Sequence, residues 1–116
     1  MDEAYNKRKK EAERLEQKAI DCVFTMSASD YVASINERLS LYILKSVEAY
    51  EQYSYNHGVE SFPPVSARAG LAKLCEELGA EAIVDVKPAI IPHGTGAYAG
   101  GDRLYLIGTA LIPRKG

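Results

Sequence analysis

The feature that most constrains this chain is the run Leu71-Ala-Lys-Leu-Cys-Glu-Glu-Leu-Gly-Ala-Glu-Ala-Ile-Val-Asp-Val86, in which hydrophobic spacing passes from helical to strand-like across one glycine. Leu71, Leu74, Cys75 and Leu78 recur three and four residues apart and define one buried helical face. Ser66 stands where an N-cap is wanted, and Gly79 supplies a left-handed C-terminal residue. The preceding Phe62-Pro-Pro-Val is a breaker, because two prolines forbid helix continuation. Residues 81–91 and 103–112 have strand composition, and the Gly-rich span between them predicts an antiparallel hairpin with a long loop. In the second strand Leu104, Leu106, Gly108, Ala110 and Ile112 alternate with Arg103, Tyr105, Ile107, Thr109 and Leu111. Both faces are apolar, so the second is expected to meet another layer or another subunit. Pro88 cannot donate to a ladder and places the first strand at an edge or a bulge.

Upstream, residues 2–19 carry opposite charges four apart in Glu3/Lys7, Lys7/Glu11 and Lys9/Glu13, which favours a helix. Its apolar stripe is thin (Met1, Tyr5, Ala12, Leu15, Ala19), so it must be held by the rest of the domain or by a neighbouring subunit. Residues 19–26 alternate Ile20, Cys22, Phe24 and Met26 and predict a strand, with continuation of the first helix as the rival. Ser27 to Asp30 is a helix start of the capping-box type. Val32, Ile35, Leu39, Tyr42, Ile43, Val47, Tyr50 and Tyr53 then recur at helical spacing until Asn56-His-Gly58, predicting a helix of roughly 27 residues, about 40 Å long. The expected class is α+β: a three-stranded antiparallel sheet with helices on one face, in the order strand-helix-helix-strand-strand, preceded by a charged helix. The boundaries are 1–18 for the charged helix and 19–116 for a single α+β domain.

Composition excludes several classes. With 116 residues, a single core is expected. A formal charge of −2 offers no basic face for nucleic acid. Cys22 and Cys75 are far apart in sequence, without CxxC or histidine at ligand spacing, which argues against a disulfide framework and a ready-made zinc site. Charged residues follow Lys7-Arg-Lys-Lys10 where a signal peptide needs an apolar core, and no segment reaches the apolar length of a membrane span. The expected location is the cytoplasm.

The run Leu78, Gly79, Ala80, Glu81, Ala82, Ile83 and Val84, with Gly108, Thr109, Ala110, Leu111 and Ile112 on the partner strand, resembles the YbjQ-like family of small proteins, also called heavy-metal-binding domains. The resemblance covers about residues 67–113. The long hairpin loop and the charged N-terminal segment depart from it. It implies a ring-forming protein, commonly a pentamer.

No convergent catalytic group can be nominated, so no enzymatic activity and no cofactor is expected. His57 falls at a predicted helix end, where a cation is favoured without any function. His93 opens Pro92-His-Gly-Thr-Gly-Ala-Tyr-Ala-Gly-Gly-Asp102, a loop longer than a hairpin needs. There His93, Gly94, Thr95, Gly96 and Tyr98 are candidate ligand-binding residues. The loop lacks the Lys-Ser/Thr of a P-loop and precedes a strand rather than a helix. His93 and Cys75 are weak metal candidates. Tyr42, Tyr50 and Tyr53, with Leu104 and Leu106, are candidate interface residues, since tyrosine suits half-wet contacts. The expectation is a homo-oligomeric scaffold or assembly subunit, a ring or a filament. A small-ligand or metal-binding module at the His93 loop is the alternative. An enzyme site assembled between subunits from His93, Tyr98, Asp102 and Arg103 ranks below both.

Overall fold

A computed structural model describes residues 3–56, 59–91 and 103–115, and their side chains outside 52–64, 90–91 and 103–104. In chain order these residues form α1 (Glu3–Cys22), α2 (Ala28–Ser34), a 3-10 turn at Leu39–Leu41, β1 (Tyr42–Tyr50), β2 (Gln52–Asn56), β3 (Val59–Val65), α3 (Ala67–Leu78), β4 (Ala82–Ile91) and β5 (Arg103–Pro113). The class is α+β, with a three-stranded antiparallel sheet in the order β1-β5-β4 and a separate two-stranded sheet, β2-β3. No helix among the described residues is long and apolar enough to cross a membrane.

The C-terminal third forms as its sequence predicts. Ser66 Oγ accepts the Ala69 N–H at 3.1 Å. At the other end of α3 Gly79 adopts φ 65, and the Ala80 N–H reaches back to the Cys75 carbonyl at 2.9 Å. That left-handed residue ends the helix and turns the chain into β4. β4 and β5 pair from Ala82↔Leu111 to Ile91↔Arg103, with one irregularity between Val84 and Lys87. There Asp85 and Val86 both face Gly108, and Asp85 takes a left-handed φ of 53. This bulge rotates Val86 into the core, where it is 5% exposed.

The N-terminal half departs from the predicted elements in two places. The strand expected over 19–26 is instead the end of α1, which continues to Cys22 and leaves Ile20 62% exposed. Only the chain beyond it is extended. Val23 bridges Ile83, the Phe24 N–H donates to the Ile83 carbonyl at 2.9 Å, and the Asp85 N–H donates to the Met26 carbonyl at 2.7 Å. Residues 23–26 thereby occupy the outer edge of β4 from Ile83 to Val86, which covers that part of the strand edge.

The long helix predicted from Ser27 to Asn56 stops at Ser34. Its start is correct, since Ser27 Oγ accepts the Asp30 N–H at 3.1 Å. Asn36, however, takes φ 58, and the Glu37 N–H closes on the Val32 carbonyl at 2.8 Å, a C-terminal cap built on asparagine rather than glycine. Residues 42–50 become β1, paired with β5 from Tyr42↔Pro113 to Tyr50↔Tyr105. The helical recurrence of Tyr42, Ile43, Val47 and Tyr50 is equally compatible with a strand, and pairing with β5 decides the matter. Phe62-Pro-Pro-Val lies within β3, antiparallel to β2, so the prolines break helix but not strand.

Two core clusters occupy opposite faces of the sheet. Leu15, Ala19 and Cys22 of α1 and Ala69, Leu71, Ala72 and Cys75 of α3 pack on Ile83, Val86 and Ala110. On the other face Val32 of α2 packs with Tyr42, Ala82, Val84 and Leu111. Ala110 and Leu111 are consecutive, so β5 is apolar on both faces because it is the central strand, covered from both sides at this end. Leu71, Ile83 and Leu111 are fully buried, each contributing about 1.5–3 kcal/mol of transfer free energy.

The polar N-terminal helix is held in cis. Arg14 donates to Glu76 of α3 at 2.7 Å and to Glu11 at 2.6 Å. Arg68 of α3 donates to the Val23 carbonyl at 3.1 Å, setting a cation at the α1 C-terminus where the helix dipole favours it.

Gly108 allows this geometry, because a Cβ there would lie 2.9 Å from Ile83 Cγ2 and 3.2 Å from the Val84 carbonyl. The variant Gly108→Ala is expected to lose about 1–3 kcal/mol through overpacking at the bulge. Urea denaturation checks this as a lowered midpoint with an unchanged slope.

Candidate interaction surface

Beyond the end closed by α2, the second face of the sheet carries no described helix. On this face Tyr42 is buried, whereas two and eight residues further along β1 Leu44 is 48% exposed and Tyr50 43%. Ile107, facing Glu48 across the ladder, is 40% exposed. Between the strands lies an open hollow of about 510 Å³, lined by Ser46, Glu48, Asp85, Lys87, Ile107 and Thr109. Asp85 and Lys87, 3.6 Å apart, are both well exposed, so their pairing adds little stability. The hollow thus mixes an apolar floor with a charged rim.

The same strand is open along its side. Among the described residues β1 pairs only with β5, whereas on the opposite edge residues 23–26 cover β4 from Ile83 to Val86. Ile43, on the face shared with Val47 and Ala49, is also 46% exposed, and Leu41 just before it is 49% exposed. An edge strand with apolar side chains exposed on both faces is a template for a further strand.

The predicted interface residues divide. Tyr50 lies on this open strand. Tyr42 does not contribute, being 6% exposed within the second core cluster. Leu106 packs against the first core cluster, under the helices. Tyr53 lies on β2 and Leu104 on β5, and their side chains fall outside the described ones, as do those of His93, Gly94, Thr95, Gly96 and Tyr98 with their whole loop. Asp102 lies in that same undescribed span, and Arg103 opens β5 with its side chain undescribed. His57 also lies outside the described residues. Leu44, Ile43 and Ile107 are the surface residues that sequence reasoning missed. The signal available for the first two was the alternation through 42–50, masked by the coincident helical spacing.

Cys75 is 1% exposed, and its Sγ donates to the Ala80 carbonyl at 3.2 Å. Burial, followed by the neighbouring Cys22, pushes its thiol up to about 12, and burial raises Cys22 as well. Both remain protonated at neutral pH, whereas a metal ligand or nucleophile must be a thiolate. Among the described residues no three His, Cys, Asp or Glu side chains are grouped to hold a metal ion.

A short polar contact joins the start of β1 to the turn between α3 and β4. Tyr42 Oη donates to Glu81 Oε2 at 2.6 Å. This hydrogen bond, with burial second, pushes the Tyr42 phenol up to about 12. Tyr31 is raised chiefly by burial and then by the same carboxylate, and its ring lies 5.4 Å from that of Phe24. Phenols this weakly acidic are no bases at neutral pH; the cluster fastens α2 to the sheet.

Because the folded-state value of Tyr42 lies above the ordinary 10.0, its contribution to stability is complete below about pH 10 and is lost as pH rises towards about 12. Tyr42→Phe is expected to lower stability by about 1 kcal/mol at neutral pH. It should also flatten the alkaline decline, which urea midpoints measured from about pH 8 to about pH 11 would reveal.

Compared with known proteins, the chain matches no family model, no curated protein and no solved structure. The resemblance to the YbjQ-like family rests on the residues at 78–84 and 108–112 alone.

Proposed function

We propose that this chain is a self-assembling scaffold subunit without catalytic activity of its own, and that a second copy covers the β1 edge and the open face beside it. The observation that carries this reading is the exposure of Ile43, Leu44, Tyr50 and Ile107 around one strand with a side that no described residue pairs with. Large apolar side chains scattered singly over a surface need no explanation, whereas a group contiguous with an open strand edge marks an association site. Main-chain pairing along β1 supplies affinity, and the hollow at Ser46 and Ile107 supplies a recess for a partner side chain. Repetition of such a contact closes a ring when the subunit rotation permits and otherwise extends a filament. The family resemblance favours a ring, commonly of five copies. Two buried, protonated thiols suit the reducing cytoplasm, and the net charge of −2 gives nucleic acid no purchase.

Leu44→Asp combined with Ile107→Lys is expected to reduce the native mass to that of the monomer while circular dichroism stays unchanged, because neither side chain belongs to a core cluster. Leu106→Asp, by contrast, should unfold the chain. An unaltered native mass in the double variant, or a wild-type monomer at micromolar concentration, rejects the assembly. A reproducible bound mass lost in His93→Ala would favour the ligand-binding module instead.

A further inference from the structure

We propose that the self-assembly described above, on which this inference rests, uses a two-fold contact: β1 of one copy pairs antiparallel with β1 of a second about an axis at Val47, so that Leu44 of each copy lies opposite Tyr50 of the other. The three-stranded sheet then continues across the axis as six strands, in the order β4-β5-β1-β1-β5-β4. A head-to-tail contact between these sheets would instead require β1 to add to the outer edge of β4. Residues 23–26 occupy that edge from Ile83 to Val86. Next along it come Lys87 and Pro88, a charge and a missing donor of the kind that blocks strand addition. β1 contains no proline, and no described residue pairs with its outer side.

The side chains of β1 select the register. A two-fold axis normal to the sheet keeps each face on its own side, so facing residues differ by an even number of positions. An axis at Lys45 or at Glu48 sets that charge directly against its own copy, which is destabilising. An axis at Ser46 sets Leu44 against Glu48, and Tyr50 against Tyr42, which is buried in the second core cluster. Axes nearer either end of β1 shorten the overlap. At Val47 the facing pairs are Leu44 with Tyr50, Lys45 with Ala49 and Ser46 with Glu48, each made twice. Leu44 and Tyr50 are both exposed on the face that no described helix covers, so each copy shields two large apolar side chains. The Ser46 hydroxyl is placed to donate to the facing Glu48 carboxylate. Lys45 falls diagonal to Glu51 of the other copy, within reach of a long side chain. Ile107, beside Glu48 on β5, extends the apolar strip on both sides of the axis. A two-fold contact is satisfied by two copies, so a larger particle built with it needs a second contact and holds an even number of chains; five-fold repetition gives ten.

The test is cysteine cross-linking of the full-length chain. The double variant Leu44→Cys with Tyr50→Cys is oxidised with copper–phenanthroline and run on a non-reducing gel. A covalent dimer, of twice the 12.7 kDa chain mass and reversed by dithiothreitol, is the expected result for most of the protein. Each single variant and the wild type should stay uncrosslinked, because the two copies of residue 44 would lie about 20 Å apart and the native thiols are buried. Both substituted side chains are exposed and belong to neither core cluster, and the native mass of the wild type gives a readout that needs no variant. An assembled wild type with an odd number of chains, a double variant that assembles without cross-linking, a ladder of longer covalent chains, or a covalent dimer of Leu44→Cys alone would each overturn the two-fold contact and leave self-assembly standing. A monomeric wild type at micromolar concentration would reject both.

Discussion

The closeness with which α3 lies on the sheet governs the rest of this structure. At Gly70 a Cβ would come within 2.9 Å of the Ala49 side chain, and Ala69, Ala72 and Ala110 are all fully buried nearby. Small residues on both sides let a helix approach a sheet closely, and that approach lets Leu71 and Cys75 reach Ile83 and Val86. α1 is then laid against α3 with little apolar surface of its own. It is secured by Leu15, Ala19 and Cys22 and by arginines that cross the helix boundary in each direction. A helix as polar as α1 would be marginal in isolation, so its order derives from α3.

This layering concentrates the long helices on one face and leaves the other, among the described residues, with the seven-residue helix α2, fixed through Tyr42, Glu81 and the Phe24–Tyr31 ring pair. The end of the sheet near Leu111 is thereby sealed, while the stretch from Leu44 to Tyr50 stays open. The asymmetry between the two edges has the same origin. Residues 23–26 leave α1 next to β4 and bond along it, and no described segment performs that office for β1. The unused bonding capacity and the uncovered apolar side chains fall on one strand, which makes assembly through β1 the economical reading of the surface.

Legibility from sequence differed between the halves for a physical reason. In α3 and the hairpin each local signal agrees with the global fold: a serine cap, a glycine stop, alternating strands and a proline at an irregular edge. At 19–26 and 30–56 the signals were degenerate. Ile20, Cys22, Phe24 and Met26 satisfy a strand alternation, yet the chain through Cys22 is helical because Cys22 meets α3. Tyr42, Ile43, Val47 and Tyr50 fit both periods, and Asn36 gives a weaker stop signal than the Gly58 taken as the helix end. Of the candidate interface residues Tyr50 is exposed on β1, whereas Tyr42 is buried, the helix expected to carry both being absent there.

Sequence alone determined the α+β class, the boundaries of α3 and the β4–β5 hairpin, and the need to cover a strand apolar on both faces, because caps, breakers and alternation act within a few residues. Tertiary structure decided that β5 is central, that residues 42–50 supply its second partner, that Cys22 and Cys75 fall in one core cluster, and which face no described helix covers. Those outcomes depend on pairings between residues tens of positions apart. Such contacts are selected by burial and backbone hydrogen bonding in the assembled core, and local propensity carries no record of them.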